Sequence, residues 1–171
     1  ALSYGAFLKR VAGAAQRLAA RFPQGARIAC LIANRVDYLI LRYALSVAGL
    51  VEVAINGMHR DLVLRHMLLI SQPQAIFVAD AFRENLMQCG YELSEVELVS
   101  EAAFLDFARA TAPWESRPMR HVSAEGACRI LFTSGTSGWS KAVELSHAYE
   151  VYTGERHLAL LDISIADRWL Y

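Results

Sequence analysis

The strongest constraint on this chain is an alternation of short unbroken apolar runs with longer stretches of helical period. Ile28-Ala29-Cys30-Leu31-Ile32, Val51 to Ile55 and Ala75-Ile76-Phe77-Val78 are such runs. A strand that is apolar at every position must be covered on both faces. Between and before these runs, apolar residues recur at helical spacing: Phe7, Leu8, Val11, Ala15, Leu18, Ala19 and Phe22 predict a helix over 3–21, with Ser3 as its N-cap. A second helix follows Asn34 with Val36, Leu39, Ile40, Tyr43, Ala44 and Val47 inward, and Gly49 stops it. Asp61 is placed to cap a third through Ile70, and Asp80 a fourth ending near Gly90. Weaker strand and helix signals follow at 97–99 and 102–110. Strand and helix in alternation predict an α/β fold: a layered, mostly parallel sheet flanked by helices.

Composition agrees with a packed core and narrows the partners. Of 171 residues, 55% are hydrophobic and 20% charged, which excludes a disordered chain. Seventeen basic residues balance seventeen acidic ones, so no global field recruits nucleic acid or an anionic membrane. No signal peptide is visible at Ala1-Leu2-Ser3-Tyr4, and the apolar stretch from Tyr38 to Val53 is interrupted by Arg42 and Glu52. The expectation is a cytoplasmic protein with no transmembrane segment. Cys30, Cys89 and Cys128 form no C-x-x-C pair and read as small buried thiols. Residues 111–125, with Pro113, Pro118 and mixed charges, read as a surface connector. It divides a βα-rich part, about 1–110, from a part of about 126–171.

That last part carries the chemistry. The apolar strand Arg129-Ile130-Leu131-Phe132-Thr133 runs into Ser134-Gly135-Thr136-Ser137-Gly138-Trp139-Ser140-Lys141. Ala142-Val143-Glu144-Leu145 then alternates like a second strand, and Ser146 and His147 open a helical stretch towards Leu161. Glycines let a ligand approach the main chain, and successive N–H groups in such a turn form a concave anion site. Hydroxyls of Thr133, Ser134, Thr136, Ser137 and Ser140 add donors, and Lys141 adds a compact cation. This is a cradle for a polyphosphate rather than an ordinary hairpin turn. It is not a Walker loop, because Lys141 follows Ser140 rather than glycine and Ala142 stands where that motif needs Ser or Thr.

The segment from Leu131 to Ala142 resembles the phosphate-loop signature T-S-G-T-T-G-x-P-K-G of the adenylate-forming superfamily, the acyl-CoA synthetase or AMP-binding enzymes. Val143-Glu144-Leu145-Ser146-His147 is similar to that family's V-x-L-S-H continuation. Leu2-Ser3-Tyr4-Gly5-Ala6-Phe7 resembles its L-T-Y-x-E-L element, and Leu45 to Asn56 its L-x-A-G-A-V-x-V-P-I-N element. The sequence departs from the pattern at Ser140 and Ala54, where proline is usual, and at Ala142, where glycine is usual. Loss of proline loosens a loop's preorganisation.

The resemblance implies the N-terminal part of an ATP-dependent carboxylic acid:CoA ligase, with ATP, Mg2+ and coenzyme A in use and a small carboxylic acid as substrate. Thr133, Ser134, Gly135, Thr136, Ser137, Gly138 and Lys141 are then the nucleotide-binding residues, with Lys141 a phosphate clamp. The adenine, ribose and magnesium elements and the catalytic lysine are expected beyond this stretch. Asp167 to Tyr171 looks like the start of a strand, so the chain reads as a truncated fragment, inactive in adenylation by itself. Exposed sheet edges would then favour a homodimer or strand exchange. The alternatives are an adenylation domain loading a carrier protein and a non-catalytic interaction fragment. Trp139 reads as a loop-tip or packing residue rather than an adenine stack, and His147 as packing at a helix N-terminus rather than part of an acyl or nucleotide pocket. His59 and His66 have no metal partner set and read as surface or capping residues. Arg35, Arg42, Arg60 and Arg65 read as a solvated face rather than a coenzyme A phosphate site.

Overall fold

The computed structural model describes residues 2–118, 120–134 and 139–161. Helix α1 spans Tyr4–Arg21, and the Ser3 side chain accepts from the Ala6 amide at its start. Strand β1 (Arg27–Leu31) leads to α2 (Val36–Val47), β2 (Val51–Ala54), α3 (Asp61–Ser71) and β3 (Ala75–Val78). A short 3-10 turn, Asp80–Phe82, precedes α4 (Arg83–Gln88); then come β4 (Glu97–Val99) and α5 (Glu101–Arg109). The chain closes with β5 (Ala127–Thr133), β6 (Lys141–Ser146) and α6 (His147–Leu160).

The described residues form one six-stranded sheet in the order β4-β3-β1-β2-β5-β6. Every pairing is parallel except β5 with β6, which is antiparallel. The predicted fold class, a layered and mostly parallel sheet with helices, is therefore the one observed. Because β2 and β3 flank β1 on opposite sides, right-handed crossovers must put α2 and α3 on opposite faces. Two apolar cores follow. On one face Ile28, Cys30 and Phe77 pack with α1, α2 and α5; on the other Ala29, Leu31, Ile76 and Val78 pack with α3 and α4. Alternate residues of the same strands thus supply both cores, which is why the runs are apolar throughout. The connections leaving β1 and β3 run to opposite sides of the sheet, so the carboxyl ends of these two neighbouring strands mark its topological switch point.

Several details differ from the sequence reading. Helix α2 buries Ile40, Leu41, Ala44 and Leu45, while Val36 and Tyr43 are exposed. The buried stripe is rotated about one position from the expected one; Tyr43 lies edge-on against Phe7 at the rim of α1. Asp61 caps nothing: Arg60 is the N-cap residue of α3, without a side-chain bond, and Asp61 is in the left-handed region at φ 49°. Asp80 opens the 3-10 turn instead of an α-helix, its amide donating to Glu101 Oε2 at 2.8 Å. Gly49 does end α2, at φ 67°, a conformation that suits glycine.

Much of the segment after α5 is strapped along α1. The Ala112 amide donates to the Lys9 carbonyl (3.0 Å) and Gln16 Nε2 to that of Ser116 (2.6 Å). Arg120 then donates to the carbonyls of Ala19, Phe22 (3.0 Å) and Ala48 (3.1 Å). Its cation sits at the carboxyl ends of α1 and α2, where the helix dipoles favour positive charge. A side chain at Gly13 would meet the backbone of Ala110 and Thr111 at 2.6 Å, so α1 needs glycine where the strap begins. Among the described residues, no helix is long and apolar enough to cross a membrane.

Candidate functional site

The β5–β6 hairpin flanks the residues expected to hold phosphate. Its ladder runs from Ala127↔Ser146, through a register shift before Arg129↔Leu145, to Thr133↔Lys141, so the last pair forms the base from which the loop departs. Thr133, Ser134 and Lys141 are exposed there. No carboxylate among the described residues pairs with Lys141. Gly135, Thr136, Ser137 and Gly138 lie outside the described residues, as does the stretch Asp167 to Tyr171. At the loop's exit, Trp139 packs its half-exposed ring on His66 of α3, with centroids 4.9 Å apart. His66 Nε2 also donates to the Ser140 carbonyl at 2.9 Å, so His66 is not the simple surface or capping residue that its sequence context predicts.

A second polar feature was not foreseen. Glu52, only 2% exposed, sits inside β2 and is the register partner of Arg129 on β5. Glu52 Oε2 accepts from Arg129 Nε at 2.7 Å, and Oε1 accepts from the Tyr38 hydroxyl of α2 at 2.5 Å. Arg129 continues to Glu150 of α6 (3.1 Å), which also pairs with Arg42 of α2 (3.1 Å). The cluster thus ties two strands to two helices. Burial pushes the Glu52 carboxyl up, while the Tyr38 hydrogen bond and the Arg42 charge hold it down. Burial also raises the Tyr38 hydroxyl, with Cys30 and then Glu52 adding to it. The Cys128 thiol, beside the cluster, is pushed up to about 11, first by burial and then by Glu150. Both Glu52 oxygens are occupied by donors, so the arrangement suits a structural joint rather than a proton-transfer site. Tyr38, Arg42, Glu52 and Arg129 line a cleft of about 360 Å³ between α2 and the β2–β5 pair, together with Val36, Leu39 and Leu131. The sequence did hold a signal: Glu52 and Arg129 are single charges inside runs that must be buried, and such charges need partners.

Other expected residues fall as follows. His147 opens α6, its amide donating to the Gly126 carbonyl and its Nδ1 lying 3.3 Å from Ser46 Oγ; it also lines a cleft with Arg42, Ser46 and Glu150, so packing at the helix N-terminus and a place in a cleft coincide. Burial lowers its pKa, against an upward pull from Glu150. The four arginines do not share one solvated face: Arg35 pairs with Asp37 and Glu101 and Arg42 with Glu150, all on the α2 side, whereas Arg60 and Arg65 belong to the α3 side. The three cysteines are buried and free. Among the described residues, no group of three or more His, Cys, Asp or Glu could hold a metal ion.

The family model of the AMP-binding enzymes matches residues 1–170. The 4-coumarate–CoA ligase-like 9 of Arabidopsis thaliana is 29% identical over 150 residues, covering 85% of this chain and 26% of that protein. The 2-succinylbenzoate–CoA ligase of Oceanobacillus iheyensis is 27% identical over 152 residues, covering 87% of this chain and 29% of the ligase. Among solved structures, ATP-bound MatB from Rhodopseudomonas palustris superimposes with a TM-score of 0.73 at 23% identity, over 92% of this chain and 32% of that one. The chain therefore spans under a third of the length of these two ligases.

Proposed function

The chain belongs to the AMP-binding enzymes, and on that premise we propose that it is the N-terminal part of an ATP-dependent carboxylic acid:CoA ligase, cytoplasmic in location. In the reaction, a carboxylate oxygen attacks the α-phosphorus of ATP and pyrophosphate leaves, giving an acyl-adenylate. The thiol of coenzyme A then attacks the acyl carbon, forming the thioester and releasing AMP. Such chemistry depends chiefly on positioning and on neutralising phosphate charge.

The observation that carries the reading is the base of the hairpin. Thr133 and Lys141 face each other across the last rung of the β5–β6 ladder, exposed, with Lys141 unengaged by any described carboxylate. That arrangement fits a polyphosphate: Lys141 supplies charge to the β- and γ-phosphate oxygens, while Thr133 and Ser134 donate hydroxyls. Gly135, Thr136, Ser137 and Gly138 belong to the same proposed site on sequence grounds. Magnesium, carried with the nucleotide, would share the phosphate charge. The matched relatives include proteins named as CoA ligases, and the superimposed MatB structure is described as ATP-bound, which supports the reading.

Calorimetric titration with MgATP tests it. The unaltered chain should bind, and Lys141→Ala should weaken binding by about 10- to 100-fold, the range for losing a hydrogen bond to a charged group. No detectable binding by the unaltered chain, or equal binding by the variant, would refute the assignment.

A further inference from the structure

The loop's exit is held by an element remote in sequence. Lys141 is fixed on one side by its rung with Thr133. The residue just before it, Ser140, is fixed through its carbonyl by His66 Nε2 at 2.9 Å. Trp139, one residue earlier, lies against the same imidazole at 4.9 Å and 48°. His66 itself stands on a firm base, because its neighbours Leu64, Met67 and Leu68 anchor α3 in the second core. A carbonyl oxygen only accepts, so Nε2 carries the proton in this contact. One side chain therefore makes two different contacts to two successive residues, and neither contact belongs to an apolar core.

We propose that His66 is a positioning residue for the phosphate loop, clamping Trp139 and Ser140 to α3 so that Lys141 is presented to the nucleotide in one orientation. The proposal rests on the reading of Lys141 as a phosphate clamp. Its physical logic is preorganisation. A lysine at the end of an unrestrained loop loses freedom when it meets the ligand, whereas an anchored one has already lost it. Ser140 brings no ring of its own to stiffen the chain before Lys141, and the His66 hydrogen bond supplies that restraint from outside the loop. The N–H and the ring have separable duties: the N–H fixes the main chain at Ser140, and the ring seats Trp139.

The two duties can be separated by substitution in this 171-residue chain. His66→Gln retains a donor without the ring; His66→Phe retains a ring without the donor; His66→Ala removes both. MgATP affinity is read by calorimetry, and the environment of Trp139 by fluorine NMR of fluorotryptophan-labelled protein without nucleotide, its resonance assigned with Trp139→Phe. His66→Ala should weaken MgATP binding by about 3- to 10-fold, the factor one net intramolecular hydrogen bond commands. His66→Gln should recover most of that loss, and His66→Phe should not. His66→Ala should also shift the Trp139 resonance. Unchanged affinity in His66→Ala, or full affinity in His66→Phe, overturns the proposal. If the unaltered chain binds no MgATP, the functional reading fails, and the resonance then decides the clamp alone: a shift in His66→Ala upholds the anchoring, and an unmoved resonance overturns it.

Discussion

The α1–α2–α5 face of the sheet and the β5–β6–α6 corner are held by different forces. On the first, Phe77 stacks against Phe104 and Phe107 of α5 at 6.4 and 5.9 Å, and the helices close over it with alanine and leucine. Charged joints there lie at the rim: Arg10 bonds Asp37 (2.6 Å) and the Ala108 carbonyl (2.7 Å), Arg17 pairs with Asp106 and Arg35 with Glu101, tying α1, α2 and α5 together around the apolar centre. At the corner, none of the described residues of α6 is buried. What ties α6 to the sheet includes the Arg129–Glu150–Arg42 chain of ion pairs and the His147 contacts. Apolar burial is non-directional and tolerates repacking, whereas ion pairs demand geometry and fail as units. The scaffold half is thus built for bulk stability, and the half bearing the proposed site is built for placement.

The largest effect should come from the apolar side. Phe77→Ala should destabilise the chain by about 3–5 kcal/mol, measured by urea unfolding, because it removes the ring at the centre of the first core. A loss near zero would break the contrast drawn above.

At the corner, Arg129→Met should cost about 3 kcal/mol by leaving Glu52 buried without its cation. Adding Glu52→Leu should return most of that loss, since a matched apolar pair needs no desolvated charge. If the double variant is as unstable as the single one, the joint is not an isolated pair but part of an indivisible network with Tyr38 and Glu150.

The smallest effect concerns pH. The pKa of His147 is lowered from 6.5 by burial, so the folded state binds fewer protons than the unfolded state in that range. Its contribution is complete above the ordinary value and is lost as the pH falls through it towards the folded value. Stability should therefore decline modestly from about pH 7 to 5.5, and His147→Gln should flatten that slope. An unchanged slope would place the pH sensitivity elsewhere.

Legibility followed the same division. The strands β1, β2 and β3 were readable because an apolar run has one physical reason to exist, burial on both faces. The Ser3 cap and the Gly49 stop were readable because each is a local hydrogen-bond or dihedral requirement. The rotation of α2 was not, since Val36 and the ring of Tyr43 could be buried as readily as Ile40 and Leu41 and only the neighbouring helix decides which row is covered. In the hairpin, Thr133 and Lys141 could be named from their residue types and spacing, but their pairing as the last rung is a matter of register between strands. The Glu52–Arg129 joint spans 77 positions and the His66 clamp 74, distances over which periodicity carries no information.

From its own order of residues, this protein determined an α/β alternation, the two-faced burial of its central strands, and a hydroxyl- and glycine-rich stretch of sequence ending in Lys141. Each of these follows from chemistry within a few neighbouring residues. Tertiary structure alone decided the strand order β4-β3-β1-β2-β5-β6, the partners of the buried charges, and the side chain that holds the loop's exit. Those outcomes depend on which surfaces meet when the sheet closes, and residues far apart in the chain settle that jointly.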